Sequence, residues 1–164
     1  IIPKIKIKNE NTLKSNRLCF LSEKQNLLKN TNKAIESLNQ AIKLDENNST
    51  AFSLLGSILN EQNSSNCIDY YKKSLEINNQ SFLAYRGLGN YYLKSNNFPE
   101  SEKFYSNAIS INPTRYGPIY KNRGITRMQQ NKNSEAKEDL KNYLKFTPNA
   151  QDKESIQQAI RELN

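Results

Sequence analysis

Apolar residues along this chain recur at helical spacing. Tyr85, Leu88, Gly89 and Tyr92 stand at i, i+3, i+4 and i+7, and Ser101, Tyr105, Ala108 and Ile109 extend a second stripe of the same kind. Such spacing lines one face of an α-helix; a strand would alternate. The pattern also repeats. Phe52-x-x-Leu55-Gly56, Tyr85-x-x-Leu88-Gly89 and Tyr120-x-x-Arg123-Gly124 align, with glycines 33 and then 35 residues apart. Each is followed by a polar, Asn-containing turn and a second periodic run. Those runs end alike, at Ala41–Asp45, Ser74–Asn78, Ala108–Pro113 and Tyr143–Pro148. Four endings predict four helix-turn-helix repeats, at 15–48, 49–81, 82–116 and 117–150.

The small residues have a steric reason. Gly56, Gly89 and Gly124 remove a side chain where two helices cross, and Ala34, Cys67, Ser101 and Ala136 are their expected partners. Pro113 and Pro148 follow second helices, where proline ends a helix cheaply. In 151–164, Ile156, Ala159, Ile160 and Leu163 again follow i, i+3, i+4 and i+7, with Asp152 as N-cap. That segment reads as a capping helix whose outer face, Gln157, Gln158, Arg161 and Glu162, is polar, as a terminal repeat requires. Residues 1–14 lie outside the repeats as a basic arm. There Lys4, Lys6 and Lys8 alternate with Ile5 and Ile7, which favours an extended segment, either a linker or a strand against another surface.

A unit of about 34 residues with an aromatic, Leu-Gly, a downstream small residue, an aromatic, an alanine and a final proline resembles the tetratricopeptide repeat. The third unit carries the resemblance best, from Tyr85 through Leu88, Gly89, Tyr92, Phe98, Tyr105 and Ala108 to Pro113. The first departs, with Ser22 for the glycine and Gln25 for the aromatic. The fourth has Arg123 and Arg127 where Leu and Tyr are usual, which predicts a less buried first helix. The fold class expected is therefore all-α, an α-solenoid of about four repeats with a capping helix.

The resemblance implies a concave groove lined by first helices, where a partner segment lies. Groove candidates are Asn16, Cys19, Phe20, Glu23 and Asn26 in the first repeat, and Thr50, Ser53, Leu54, Ser57 and Asn60 in the second. The third gives Leu83, Arg86, Asn90, Leu93 and Lys94. The fourth gives Pro118, Lys121, Asn122, Ile125, Met128 and Gln129. Arg86, Asn90, Lys94, Lys121, Asn122 and Gln129 form the proposed binding set, because guanidinium, ammonium and amide groups suit carboxylates. The set partly resembles the two-carboxylate clamp of tetratricopeptide co-chaperones. Arg86 stands for the usual lysine, Asn90 and Asn122 match, and two further basic positions are missing.

Composition narrows the chemistry. The 164 residues contain no His and no Trp, which removes His-based triads and His-containing zinc sites. No phosphate-binding glycine loop occurs; Gly87-Leu88-Gly89 lies inside a helical pattern. Glu135, Glu138 and Asp139 alternate with Lys132, Lys137 and Lys141 at spacing that suits solvated ion pairs. Of the tyrosines, Tyr71, Tyr85, Tyr92, Tyr105 and Tyr120 fall on core registers, while Tyr91 and Tyr116 are freer. Abundant asparagine reads as surface drift. Neither an enzymatic site nor a cofactor or metal is expected. Cys19 and Cys67 read as free thiols, which fits a cytoplasmic protein.

The net charge of +8 is uneven. Residues 1–17 carry +4, 18–48 carry 0, 49–81 carry −1, 82–116 carry +2, 117–150 carry +4 and the last fourteen −1. Nucleic acid, which would call for a broad basic footprint, is the less favoured partner. The expected function is a protein-interaction scaffold that holds an acidic protein or peptide. Alternatives are a helical-repeat nucleic-acid binder, an accessory domain of an enzyme encoded before Ile1, and a three-repeat secretion chaperone. No apolar run is long enough to span a membrane.

Overall fold

The computed structural model describes residues 4–114 and 116–163, with side chains from Asn9 onward. Among the described residues all regular structure is helical. The helices are α1 (Lys4–Leu27), α2 (Thr31–Leu44), α3 (Ser49–Glu61), α4 (Cys67–Ile77), α5 (Phe82–Lys94), α6 (Phe98–Ile111), α7 (Pro118–Met128), α8 (Asn133–Phe146) and α9 (Lys153–Glu162). The fold is an all-α array of helical repeats, the α-solenoid class. No described helix is long and apolar enough to cross a membrane.

Two compact units divide the chain, Ile1–Gly87 and Leu88–Asn164. In the N-terminal unit α1 and α3 pack with α2. Cys19 joins Ala34, Leu38 and Ala41 of α2 and Ala51, Leu55 and Ile58 of α3 in one buried cluster. The alanines let the axes approach, and each buried leucine or isoleucine contributes about 1.5–3 kcal/mol. The Tyr71 ring, 1% exposed, fills the space in front of Gly56 and Gly87. A Cβ on Gly87 would stand 2.2 Å from that ring. In the C-terminal unit Tyr105 does the same for Gly89, and Ser101 Oγ donates to the Gly89 carbonyl at 3.0 Å.

The expected small partners are buried, all four at 0% exposure. The group nearest the glycine is more often the bulky residue four positions later: Tyr71 after Cys67, Tyr105 after Ser101, Leu140 after Ala136. The closeness differs. A Cβ on Gly89 would lie 2.6 Å from the Tyr105 ring, and one on Gly124 3.2 Å from a Leu140 methyl. Alanine gains about 1 kcal/mol of helix propensity over glycine, whereas overpacking costs about 1–3 kcal/mol. Gly89→Ala is therefore expected to be destabilising and Gly124→Ala near neutral, as read from urea unfolding midpoints.

Two expectations are corrected here. The segment expected to be extended is helical from Lys4, and α1 runs unbroken into the first repeat. No Gly or Pro interrupts 4–27, so a helix anchored on the core by Ser15, Cys19 and Ser22 propagates outward at one hydrogen bond per residue. Asparagine is also more than surface drift. Lys29, Asn63, Asn96 and Asn131 take left-handed φ of 57–59° between paired helices, a conformation asparagine tolerates well. Asn48 and Asn97 cap α3 and α6, accepting from Ala51 N–H and Glu100 N–H. Asn78 and Asn112 accept from Gln80 N–H and Thr114 N–H in turns after α4 and α6.

Candidate functional site

The sequence candidates fall into the two units, and each unit presents its own arrangement. In the N-terminal unit, α1, α3 and α5 border a cleft of about 230 Å³. Ser22, Glu23, Asn26 and Leu27 line it from α1, Leu54, Ser57, Ile58 and Glu61 from α3, and Arg86 from α5. Five of these, Glu23, Asn26, Leu54, Ser57 and Arg86, are groove candidates from the sequence. Leu27 and Glu61, which sit one turn further along, are not among them. Asn26 Nδ2 donates to Glu61 Oε2 at 3.3 Å, and the Arg86 guanidinium lies 6.0 Å from the Phe82 ring centroid. Two carboxylates against one guanidinium make this cleft mixed in charge rather than basic.

Three first- and second-repeat candidates are corrected. Cys19, Ser53 and Asn60 are 4%, 0% and 8% exposed. Cys19 belongs to the core cluster, and its thiol is pushed up to about 11 by burial and by Glu23. Ser53 shares hydrogen bonds with Ser74 at 2.8 Å and Ser81 at 3.2 Å, a hydroxyl cluster that satisfies itself.

In the C-terminal unit α5 and α7 bring Asn90 and Asn122 together. Asn122 Nδ2 donates to Asn90 Oδ1 at 3.3 Å, and Tyr105 Oη donates to the same oxygen at 2.7 Å. The Asn90 carbonyl is thus used internally, and its Nδ2 group remains as the donor a ligand would meet. Lys94 and Gln129 are exposed at the ends of the same two helices. Lys121 is different. Its ammonium bonds Asp152 Oδ2 at 2.9 Å, and Tyr143 Oη donates to Asp152 Oδ1 at 2.6 Å. These hydrogen bonds from Tyr143 and Lys121 hold the Asp152 carboxyl below its ordinary range. Burial and the bond to Asp152 push the Tyr143 phenol up to about 12. Asp152 thereby fixes the turn before α9 to α7 and α8, and neutralises one expected groove cation.

The fourth repeat holds the largest departure from expectation. Arg123 and Arg127 do not leave α7 less buried; their side chains are 14% and 16% exposed. Both reach Asp139 of α8, which is 1% exposed rather than solvated. Arg123 makes a bidentate pair with it at 2.9 and 2.7 Å, and Arg127 Nη1 adds a bond at 2.9 Å. Arg127 Nε also reaches Glu102 of α6 at 2.9 Å, and Lys132 and Gln130 converge on the same carboxylate. Arg123 Nη1 donates to Ser106 Oγ at 3.0 Å. Most polar capacity in this network is therefore met. A signal for it exists in the repeats: Glu102 stands where Ile35 and Ile68 stand, and Arg127 where Leu59 stands.

Burial alone would raise the Glu102 pKa, but hydrogen bonds from Lys132, Arg127 and Gln130 outweigh it and hold the group at about 2. Its folded pKa lies below the ordinary 4.5, so its stabilisation is present above pH 4.5 and is lost as pH falls toward about 2. Glu102→Gln is expected to flatten the acid limb of stability in that window, as followed by urea titrations at stepped pH.

Among the described residues no group of three or more His, Cys, Asp or Glu is placed to hold a metal ion. Two segments match family models, both described as the tetratricopeptide repeat, over residues 82–115 and 25–48. No curated protein matches the sequence. Several solved structures share the fold. PilF of Pseudomonas aeruginosa superposes with a TM-score of 0.81 at 18% identity, over 95% of this chain and 68% of that one. A thermophilic TPR protein of Thermus thermophilus gives 0.71 at 17% identity, over 91% and 80%. MamA of Desulfovibrio magneticus RS-1 gives 0.69 at 13% identity, over 92% and 93%. At such identities the likeness establishes the fold alone.

Proposed function

Because the chain belongs to the tetratricopeptide repeat family, a fold that generally serves as a non-enzymatic interaction scaffold, we propose that it binds an acidic protein segment on the C-terminal unit. Asn90, Asn122, Lys94 and Gln129 form the binding surface there. The observation that carries this reading is the Asn90–Asn122 pair, held at 3.3 Å across two first helices and braced by Tyr105. Side-chain amides fixed in this way offer N–H donors to a carboxylate or a backbone carbonyl without further ordering cost. Lys94 supplies the long-range attraction. Lys121 plays a structural part through Asp152, and Arg86 belongs with the N-terminal cleft, so neither enters the set.

A fluorescein-labelled peptide rich in Asp and Glu, and its Asn/Gln counterpart, test the reading by anisotropy against the intact chain. The acidic peptide is expected to bind more tightly. Asn90→Ala/Asn122→Ala should weaken it about tenfold or more, since a hydrogen bond to a charged group is worth about 1.5–3 kcal/mol. The circular dichroism spectrum should not change. Equal affinity for both peptides, or an unaltered affinity in the double variant, sinks the proposal.

A further inference from the structure

Exposed large apolar side chains concentrate on one helix. Leu13, Phe20, Leu21, Leu27 and Leu28 lie in or directly after α1 and are 54%, 74%, 42%, 84% and 72% exposed. Leu13, Phe20 and Leu27 recur every seven residues, and Leu21 and Leu28 flank them at the same interval, so they share a face. Between the two rows stand Arg17 and Lys24, also exposed and also seven apart. An apolar patch of this kind marks an interaction surface.

The internal repeats say what kind of surface it is. With Ser22, Gly56, Gly89 and Gly124 in register, Arg17 corresponds to Ala51, Ala84 and Ile119, Leu21 to Leu55, Leu88 and Arg123, and Lys24 to Ile58, Tyr91 and Thr126. In the later repeats most of these positions are covered: Ala51, Ala84, Ile119 and Thr126 are no more than 1% exposed, Leu55, Leu88 and Ile58 no more than 4%, and Tyr91 and Arg123 are half-buried. For α3 and α7 the cover is the preceding second helix. Ala51, Leu55 and Ile58 of α3 share a cluster with Ala34, Leu38 and Ala41 of α2. Thr126 of α7 bonds Ser101 of α6 at 3.2 Å. On α1 no described residue covers the same face.

We propose that this face of α1 docks an amphipathic, acidic α-helix of another protein, seated as α2 is seated on α3. Its apolar residues would cover Phe20, Leu21 and Leu28, and carboxylates one heptad apart would meet Arg17 and Lys24. Charge disfavours a second copy of this chain. A two-fold axis would set the same cations against themselves.

The α2 segment supplies the probe, since Ala34 and Ala41 are spaced as Arg17 and Lys24 are. One labelled peptide of residues 30–45 carries Ala34→Glu and Ala41→Glu, and a second carries Ala34→Lys and Ala41→Lys. In low salt the intact chain is expected to bind the Glu peptide about tenfold more tightly. Arg17→Glu/Lys24→Glu should reverse the preference, and Leu21→Asp/Leu28→Asp should abolish both, with circular dichroism unchanged. Equal affinity for the peptides, or no reversal, overturns the proposal. So does a chain that sediments as a dimer and becomes monomeric on Leu21→Asp, which would put a second copy on the face.

Discussion

Asp139→Ala should remove about 3–5 kcal/mol of stability, because it leaves two largely buried guanidiniums facing each other without their carboxylate. Asp139 is 1% exposed and accepts three bonds from Arg123 and Arg127. Water cannot take its place without opening the α7–α8 contact. In urea the midpoint is expected to fall with the slope unchanged. A loss under about 1 kcal/mol, the range of an exposed ion pair, would mean that the network is solvated. Replacing the charged set together, with Glu102→Ile, Arg123→Leu, Arg127→Leu and Asp139→Leu, should recover most of the loss. Apolar replacement of a whole buried network is often neutral or favourable.

Tyr105→Ala is expected to cost a further large amount, about 3–5 kcal/mol. The ring is 0% exposed and packs on Gly89, so its loss leaves a cavity where α5 and α6 cross. The same ring makes Gly89→Ala harmful. In the Tyr105→Ala background, Gly89→Ala should therefore turn from a cost to a gain of about 1 kcal/mol, because only the helix propensity remains. Tyr105→Phe separates packing from hydrogen bonding. It should cost about 0.5–1.5 kcal/mol and weaken acidic-peptide binding, since Asn90 Oδ1 loses its 2.7 Å partner.

Most of the fold was legible because steric rules repeat where the helices repeat. Glycine at 56, 89 and 124, and a small residue at 34, 67, 101 and 136, mark crossings that depend on volume and can be read locally. The candidate site was legible only in part. Asn90 and Asn122 meet because they lie on consecutive first helices, one residue after Gly89 and two before Gly124. Cys19, Ser53 and Asn60 were misplaced because polar or small side chains say little about which of two adjacent helix faces is covered. The basic count of the last two repeats overstated the groove's charge, since Lys121, Arg123 and Arg127 are spent on Asp152, Asp139 and Glu102. Charges alone do not reveal their partners. Comparing equivalent positions does: Ile35 and Leu59, which both pack against one apolar cluster in the N-terminal unit, are exchanged for the Glu102–Arg127 pair in the C-terminal one.

That exchange fixes the order of the modules. Besides Asp139 of its own module, Arg127 pairs with an acid that the preceding helix offers at Glu102, and at that register the second helices α2 and α4 offer Ile35 and Ile68. Transplanted behind either of them, the fourth module would press a guanidinium onto a hydrocarbon. Its address in the chain is thus written in charge, and shuffling or duplicating it would demand that the third module travel with it.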